Sequence, residues 1–126
     1  MYKILLAEDD AAMRQYLVRA LERSGYVVMA VENGHDAYDL LQAGDHFDLL
    51  LTDIVMPGMD GIELAQKASL QFPDIKVMFI TGFSAVSLRA GKTMPQAKVL
   101  SKPFHLRDLV LEVERAFSIG SYSNQL

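Results

Sequence analysis

Asp53 stands directly after a mostly apolar run, 47–52, and directly before Ile54-Val55-Met56-Pro57-Gly58-Met59-Asp60-Gly61. An apolar run that suits a buried strand, then one carboxylate, then a Pro/Gly-rich turn places an acid at the mouth of that strand. Glu8 and Asp9 follow another apolar run, Ile4-Leu5-Leu6-Ala7, in the same way. If the two strands lie side by side and parallel, three carboxylates converge on one sheet edge. Carboxylates that close repel one another unless a cation sits among them. Mg²⁺ suits such a group, being hard, oxygen-seeking and content with one or two carboxylates plus water and phosphate oxygens. An Asp53 oxygen can then attack phosphorus, since carboxylates form aspartyl-phosphate intermediates. Phosphoryl oxygens need cationic and hydrogen-bonding partners, and Lys102 offers a flexible point charge and Thr81 a hydroxyl.

Each residue also has a bland reading. Asp is common in turns at strand ends, and taken alone Asp53 divides evenly between the two. Glu8 and Asp9 at the equivalent end of the first strand tip the balance toward a site. Asp10 suits a helix start, where the dipole favours an acid, which leaves Glu8 and Asp9 as the better ligand candidates. Lys102-Pro103 reads equally as a solvated lysine before a helix-starting proline, or as an X-Pro bond whose cis form aims the lysine inward. His35 and His46 read as solvated, His105 opens the last helix, and no His/carboxylate spacing suggests zinc.

The elements that must position these side chains alternate along the chain. Short apolar runs at Lys3–Ala7, Val27–Val31, 47–52, 75–81 and 97–100 suit buried strands. Between them Met13, Tyr16, Leu17, Ala20 and Leu21 make a helical stripe stopped by Gly25, and Asn33 can cap a helix carrying Ala37, Leu40 and Leu41. Ile62, Leu64, Ala65, Ala68 and Leu70 make a third helix, and Leu106, Leu109, Val110, Val113 and Phe117 the clearest stripe of all. The weak segment is 84–91, read as a short, mobile fourth helix cut off by Gly91 and Pro95. Five strands alternating with five helices predict an α/β fold, a parallel sheet covered on both faces. Right-handed crossovers bring every strand's C-terminal end to one edge, where open sheets of this kind bind ligands.

The 126 residues suffice for one domain with one core, read as 1–118 with a Ser/Gly/Asn-rich flexible tail over 119–126. A hydrophobic share of 51% and a charged share of 22% are those of a globular protein. The net charge of −4 gives no basic footprint for nucleic acid or an anionic membrane. No apolar stretch is long enough for a span or a secretory signal, and the absence of cysteine fits a cytoplasmic setting.

Glu8-Asp9-Asp10, Asp53 with Met56-Pro57 and Asp60-Gly61, Thr81 and Lys102-Pro103-Phe104 together resemble the receiver domain of bacterial two-component response regulators, over residues 2 to about 118. The resemblance implies a doubly wound, flavodoxin-like sheet of order 2-1-3-4-5. It implies that Asp53 is the phosphoacceptor, charged by a histidine kinase or histidine phosphotransfer protein. Asp9 and Asp53 would bind Mg²⁺ directly, the Val55 main-chain carbonyl would be the third protein ligand, and Glu8 would act through water. Thr81 would be the switch hydroxyl and Lys102 the phosphate contact. One departure matters: receivers commonly carry Tyr or Phe three residues before that lysine, and here the position is Val99. Phe83, Phe104 or backbone shifts at Gly82 are the alternative routes for the switch.

With no output domain in the sequence, the reading is a stand-alone receiver in two-component signal transduction, acting by protein–protein contact. The stretches 47–63, 77–83 and 99–110 are similar to a single-domain group of alphaproteobacterial regulators, which implies an adaptor for the ClpX unfoldase that controls ClpXP proteolysis. A phosphate shuttle or sink in a phosphorelay would share the same site chemistry. A phosphohydrolase would want a second Asp where Val55 stands, so the expectation is a phosphoacceptor with at most slow autodephosphorylation. A flavin-binding relative would suffer repulsion between the FMN phosphate and Glu8-Asp9-Asp10.

Overall fold

The computed structural model of the chain describes residues 1–82 and 84–123, with the side chains of 84–88 and 119–123 outside that description. Strands β1 (Lys3–Ala7), β2 (Val27–Val31), β3 (Leu49–Asp53), β4 (Lys76–Thr81) and β5 (Lys98–Ser101) alternate with helices α1 (Ala11–Arg23), α2 (Gly34–Gln42), α3 (Gly61–Gln71), α4 (Ser84–Thr93) and α5 (Leu106–Ser123). The strands form one sheet of order β2-β1-β3-β4-β5, every pair parallel, as expected.

Successive strand residues point to opposite faces, so the continuous apolar runs of β1 and β3 feed two cores at once. Ile4, Leu6, Leu49, Leu51, Met78 and Ile80 pack with Leu17 and Leu21 of α1 and Leu109, Val113 and Phe117 of α5. Leu5, Leu50 and Phe79 pack with Leu41 of α2, Leu64 and Ala65 of α3, and Ala90 and Met94 on the α4 side. Side chains fix the helix starts by accepting orphan backbone N–H groups. Asp10 caps α1 through Met13 N at 2.9 Å, Asn33 caps α2 through Asp36 N at 2.7 Å, and Asp60 caps α3 through Glu63 N at 2.8 Å. Gly25 and Gly44, with φ of 96° and 95°, turn the chain out of α1 and α2.

The structure departs from the sequence reading in particular places. β3 begins at Leu49 and takes Asp53 as its last residue, in register with Ile80. Ahead of it Phe47 is buried under the Lys3 ammonium, and the Asp48 carboxylate accepts the Lys3 N–H at 2.8 Å. β2 is not a buried strand: it pairs with β1 alone, and Val27 and Met29 are 41% and 40% exposed. α4 runs through Gly91 to Thr93, because burial of Ala90 and Met94 outweighs the roughly 1 kcal/mol that a helical glycine costs. α5 continues past 118 to Ser123, and residues 124–126 of the expected tail lie outside the described residues. No helix among the described residues is long and apolar enough to cross a membrane.

Candidate functional site

β1 and β3 are neighbours with Ala7 opposite Thr52, so Glu8 and Asp9 leave the sheet beside Asp53. β4 adds Thr81 opposite Ser101 of β5, and Lys102 follows at once. The five polar residues singled out in the sequence therefore share one sheet edge. One oxygen from each of Glu8, Asp9 and Asp53 lies within 4.8 Å of the others, with Glu8 and Asp53 buried and Asp9 exposed. Thr81 is fully buried at the end of β4.

Glu8 is held on several sides. Its N–H donates to the Val31 carbonyl at 3.1 Å, its Oε2 accepts the Asp10 N–H at 3.1 Å, and its carbonyl accepts Arg14 Nη1 at 2.8 Å. Burial is the main cause that pushes its carboxyl up from 4.5 to about 7. The Asp53 charge acts in the same direction, while the Asp10 N–H and Lys102 pull back.

The Lys102 backbone N–H donates to the Thr81 carbonyl at 2.7 Å, which extends the β4–β5 pairing and fixes where the lysine leaves the sheet. Its Nζ donates to Asp53 Oδ2 at 3.1 Å and to Glu8 Oε1 at 3.2 Å. Burial works against the charged ammonium, but the hydrogen bond to Asp53 and the charges of Asp53 and Glu8 outweigh it, so its pKa is raised. The cation that convergent carboxylates demand is thus supplied here by a side chain. The bland reading of Lys102 as a solvated lysine does not hold; its peptide bond to Pro103 is cis.

The donor set still fits a hard divalent ion. All three contributors are carboxylates, and the exposed position of Asp9 leaves room for retained water. Val55 follows in the loop after β3 and is 45% exposed. Val99 packs its side chain against the core on the α3 side, and Phe104 packs against the core on the α1 side. Phe104 also lines a cleft of about 160 Å³ with Met13, Tyr16, Lys102, Pro103 and Leu106. Phe83 lies outside the described residues. Of the histidines, His46 pairs with Asp48 at 3.1 Å, and His35 lies against Gly58.

Some contacts that shape the site are visible only in the fold. Arg14 anchors the Glu8 carbonyl from α1. Arg89 Nη2 donates to Asp60 Oδ2 at 3.1 Å while Asp60 Oδ1 caps α3, tying α4 to the loop after β3. Gly61 donates its N–H to the Ile54 carbonyl at 2.8 Å, and a Cβ there would overlap the Asp53 carbonyl oxygen. The pair Asp60-Gly61 is visible in the sequence, but the reason for the glycine is a close approach that only the fold reveals.

The chain belongs to the response regulator receiver domain family, which it matches over residues 4–114. It is 61% identical over 116 residues to the response regulator receiver protein CpdR of Brucella abortus (strain 2308), covering 91% of this chain and 96% of that one. Among solved structures it resembles the response regulator protein TrrA of Thermotoga maritima in complex with Mg²⁺-BeF, with a TM-score of 0.82 at 27% identity over 92% of this chain and 99% of that one. A CheY-like receiver domain protein from Methanospirillum hungatei JF-1 superposes with a TM-score of 0.88 at 26% identity, covering 98% of each chain.

Proposed function

We propose that this chain accepts a phosphoryl group on Asp53, in a Mg²⁺-dependent reaction, from a histidine kinase or histidine phosphotransfer protein. The observation that carries the reading is the buried Asp53 carboxylate, engaged by Lys102 and flanked by Glu8 and Asp9 at one sheet edge. An Asp53 oxygen attacks phosphorus; the O–P bond forms as the P–N bond of the phosphohistidine breaks, and the imidazole leaves with the electron pair. Asp9 and Asp53 directly, with the Val55 main-chain carbonyl, and Glu8 through water would hold Mg²⁺, whose charge offsets that of the phosphoryl oxygens.

The product carries roughly −1.5 to −2 charge where one carboxylate stood. Lys102 follows that charge onto the phosphoryl oxygens, and the Thr81 hydroxyl turns toward them. Both movements start at the ends of β4 and β5, so they bias the loop at Gly82 and the face of α4, β5 and α5. Val99, β-branched and packed inward, transmits the change through backbone position instead of ring rotation. Val55 places an exposed aliphatic side chain where a turnover phosphohydrolase needs an acid–base group, so the phosphoryl group is held and lost only slowly.

The output is protein contact in the cytoplasm, as a CpdR-like adaptor that engages ClpX and controls ClpXP proteolysis. Its support is the 61% identity to CpdR over 96% of that protein's length. A phosphate shuttle or sink shares the site chemistry. To separate them, ClpX is passed over immobilised wild type, with and without prior acetyl phosphate, and over Asp53→Ala. Retention that changes with phosphorylation in the wild type but not in Asp53→Ala is the expected result. ClpX passing through in every case, while a phosphodonor still charges Asp53, would leave only the sink.

A further inference from the structure

The loop 54–60 between β3 and α3 is gripped from outside the acidic cluster. A Cβ on Gly34, the first residue of α2, would lie 2.7 Å from the Met59 carbonyl oxygen and 3.1 Å from the Met59 Cβ. Side chains do not sit that close to backbone, so the first turn of α2 rests on the loop at a distance that glycine alone allows. The contact continues one residue on, where the His35 ring lies 3.2 Å from the place a Gly58 Cβ would take. The Met59 side chain is buried in the core beneath. At the other end of the loop Gly61 lies against the Asp53 carbonyl.

Backbone conformation does not explain Gly34. Its φ is not positive, unlike those of Gly25, Gly44 and Gly58, and Ala would be the better helix former there. The cap is also supplied by its neighbour, since the Asn33 side chain already takes the Asp36 N–H. What remains is space.

We infer that Gly34 is a positioning residue for the cation site: by letting α2 bear directly on Met59, it sets the loop that presents the Val55 main-chain carbonyl beside Asp53. This rests on the reading of the acidic edge as a Mg²⁺ site. Groups that orient a metal's ligands without touching the metal change affinity by about tenfold or more when altered, and that is the size of effect assigned to Gly34.

The test is Mg²⁺ titration by calorimetry on the full, unphosphorylated chain, well below its unfolding temperature. Gly34→Ala is expected to bind Mg²⁺ about tenfold more weakly than wild type. Phe117→Ala empties part of the core on the opposite face of the sheet, away from this loop, so it is expected to lose thermal stability and keep the wild-type Mg²⁺ affinity. Should Gly34→Ala fold poorly, it is measured with Gly91→Ala, a helical position where an added Cβ meets nothing within 4 Å. Wild-type affinity in Gly34→Ala, or losses in both variants that simply follow their stability, would overturn the inference. A wild type that binds no Mg²⁺ would instead overturn the reading of the site on which it rests.

Discussion

The metal-free protein loses stability as pH rises from 4.5 to about 7, and Glu8→Gln reduces that loss: this is the expected result of a urea-unfolding series in EDTA. Glu8 is fully buried, and burial first, then the nearby Asp53 charge, pushes its carboxyl up to about 7 in the folded state. In the unfolded chain it ionises near 4.5. Between those values the folded protein holds a proton that the unfolded chain has released. The resulting advantage is complete below the unfolded value and lost as pH rises through the folded one. At 1.36 kcal/mol per unit the change amounts to about 3 kcal/mol, a large part of a small domain's stability. Gln fills the same space without ionising, so Glu8→Gln is expected to lose less stability than wild type through this window and to exceed wild type above it. Parallel profiles for the two proteins would show that Glu8 ionises freely in the folded state.

Gly61→Ala is expected to cost about 3 kcal/mol and to impair Asp53 at the same time. The new Cβ would overlap the Asp53 carbonyl oxygen and stand 2.9 Å from the Asp53 carbonyl carbon and 3.0 Å from the Ile54 Cα. All of these are backbone atoms, so none can swing aside. Relief requires α3 to retreat, which breaks the Gly61 to Ile54 hydrogen bond, or the end of β3 to move, which displaces Asp53 itself. Urea unfolding and the extent of acetyl phosphate labelling, read on the same variant, check both consequences. Stability within about 0.5 kcal/mol of wild type, the range of an ordinary surface change, would contradict the close packing.

Asp10 and Asn33 show what local sequence can carry. Each is a short polar side chain placed before a helical stripe, and each caps its helix as its type suggests. The sheet edge was legible for a similar reason: an apolar run broken by an acid marks a strand's end, and parallel topology collects those ends. For β2 an apolar run does not say whether both faces are covered, and Val27 and Met29 face solvent at the sheet margin. Gly91 looks like a stop in the sequence, and the burial of Ala90 and Met94 that carries the helix through it is a tertiary fact. Nothing in spacing announces that Lys102 also pairs with Glu8 across 94 residues of chain. Why Gly34 and Gly61 must be glycine is not written in the sequence for one shared cause, an approaching backbone.

Intact mass spectrometry after incubation with acetyl phosphate and Mg²⁺ tests most directly whether Asp53 takes the phosphoryl group. Wild type is expected to gain the mass of one phosphoryl group, removable by mild base, and Asp53→Asn to gain none. A wild type that stays unmodified, or an adduct that persists in Asp53→Asn, would contradict the assignment.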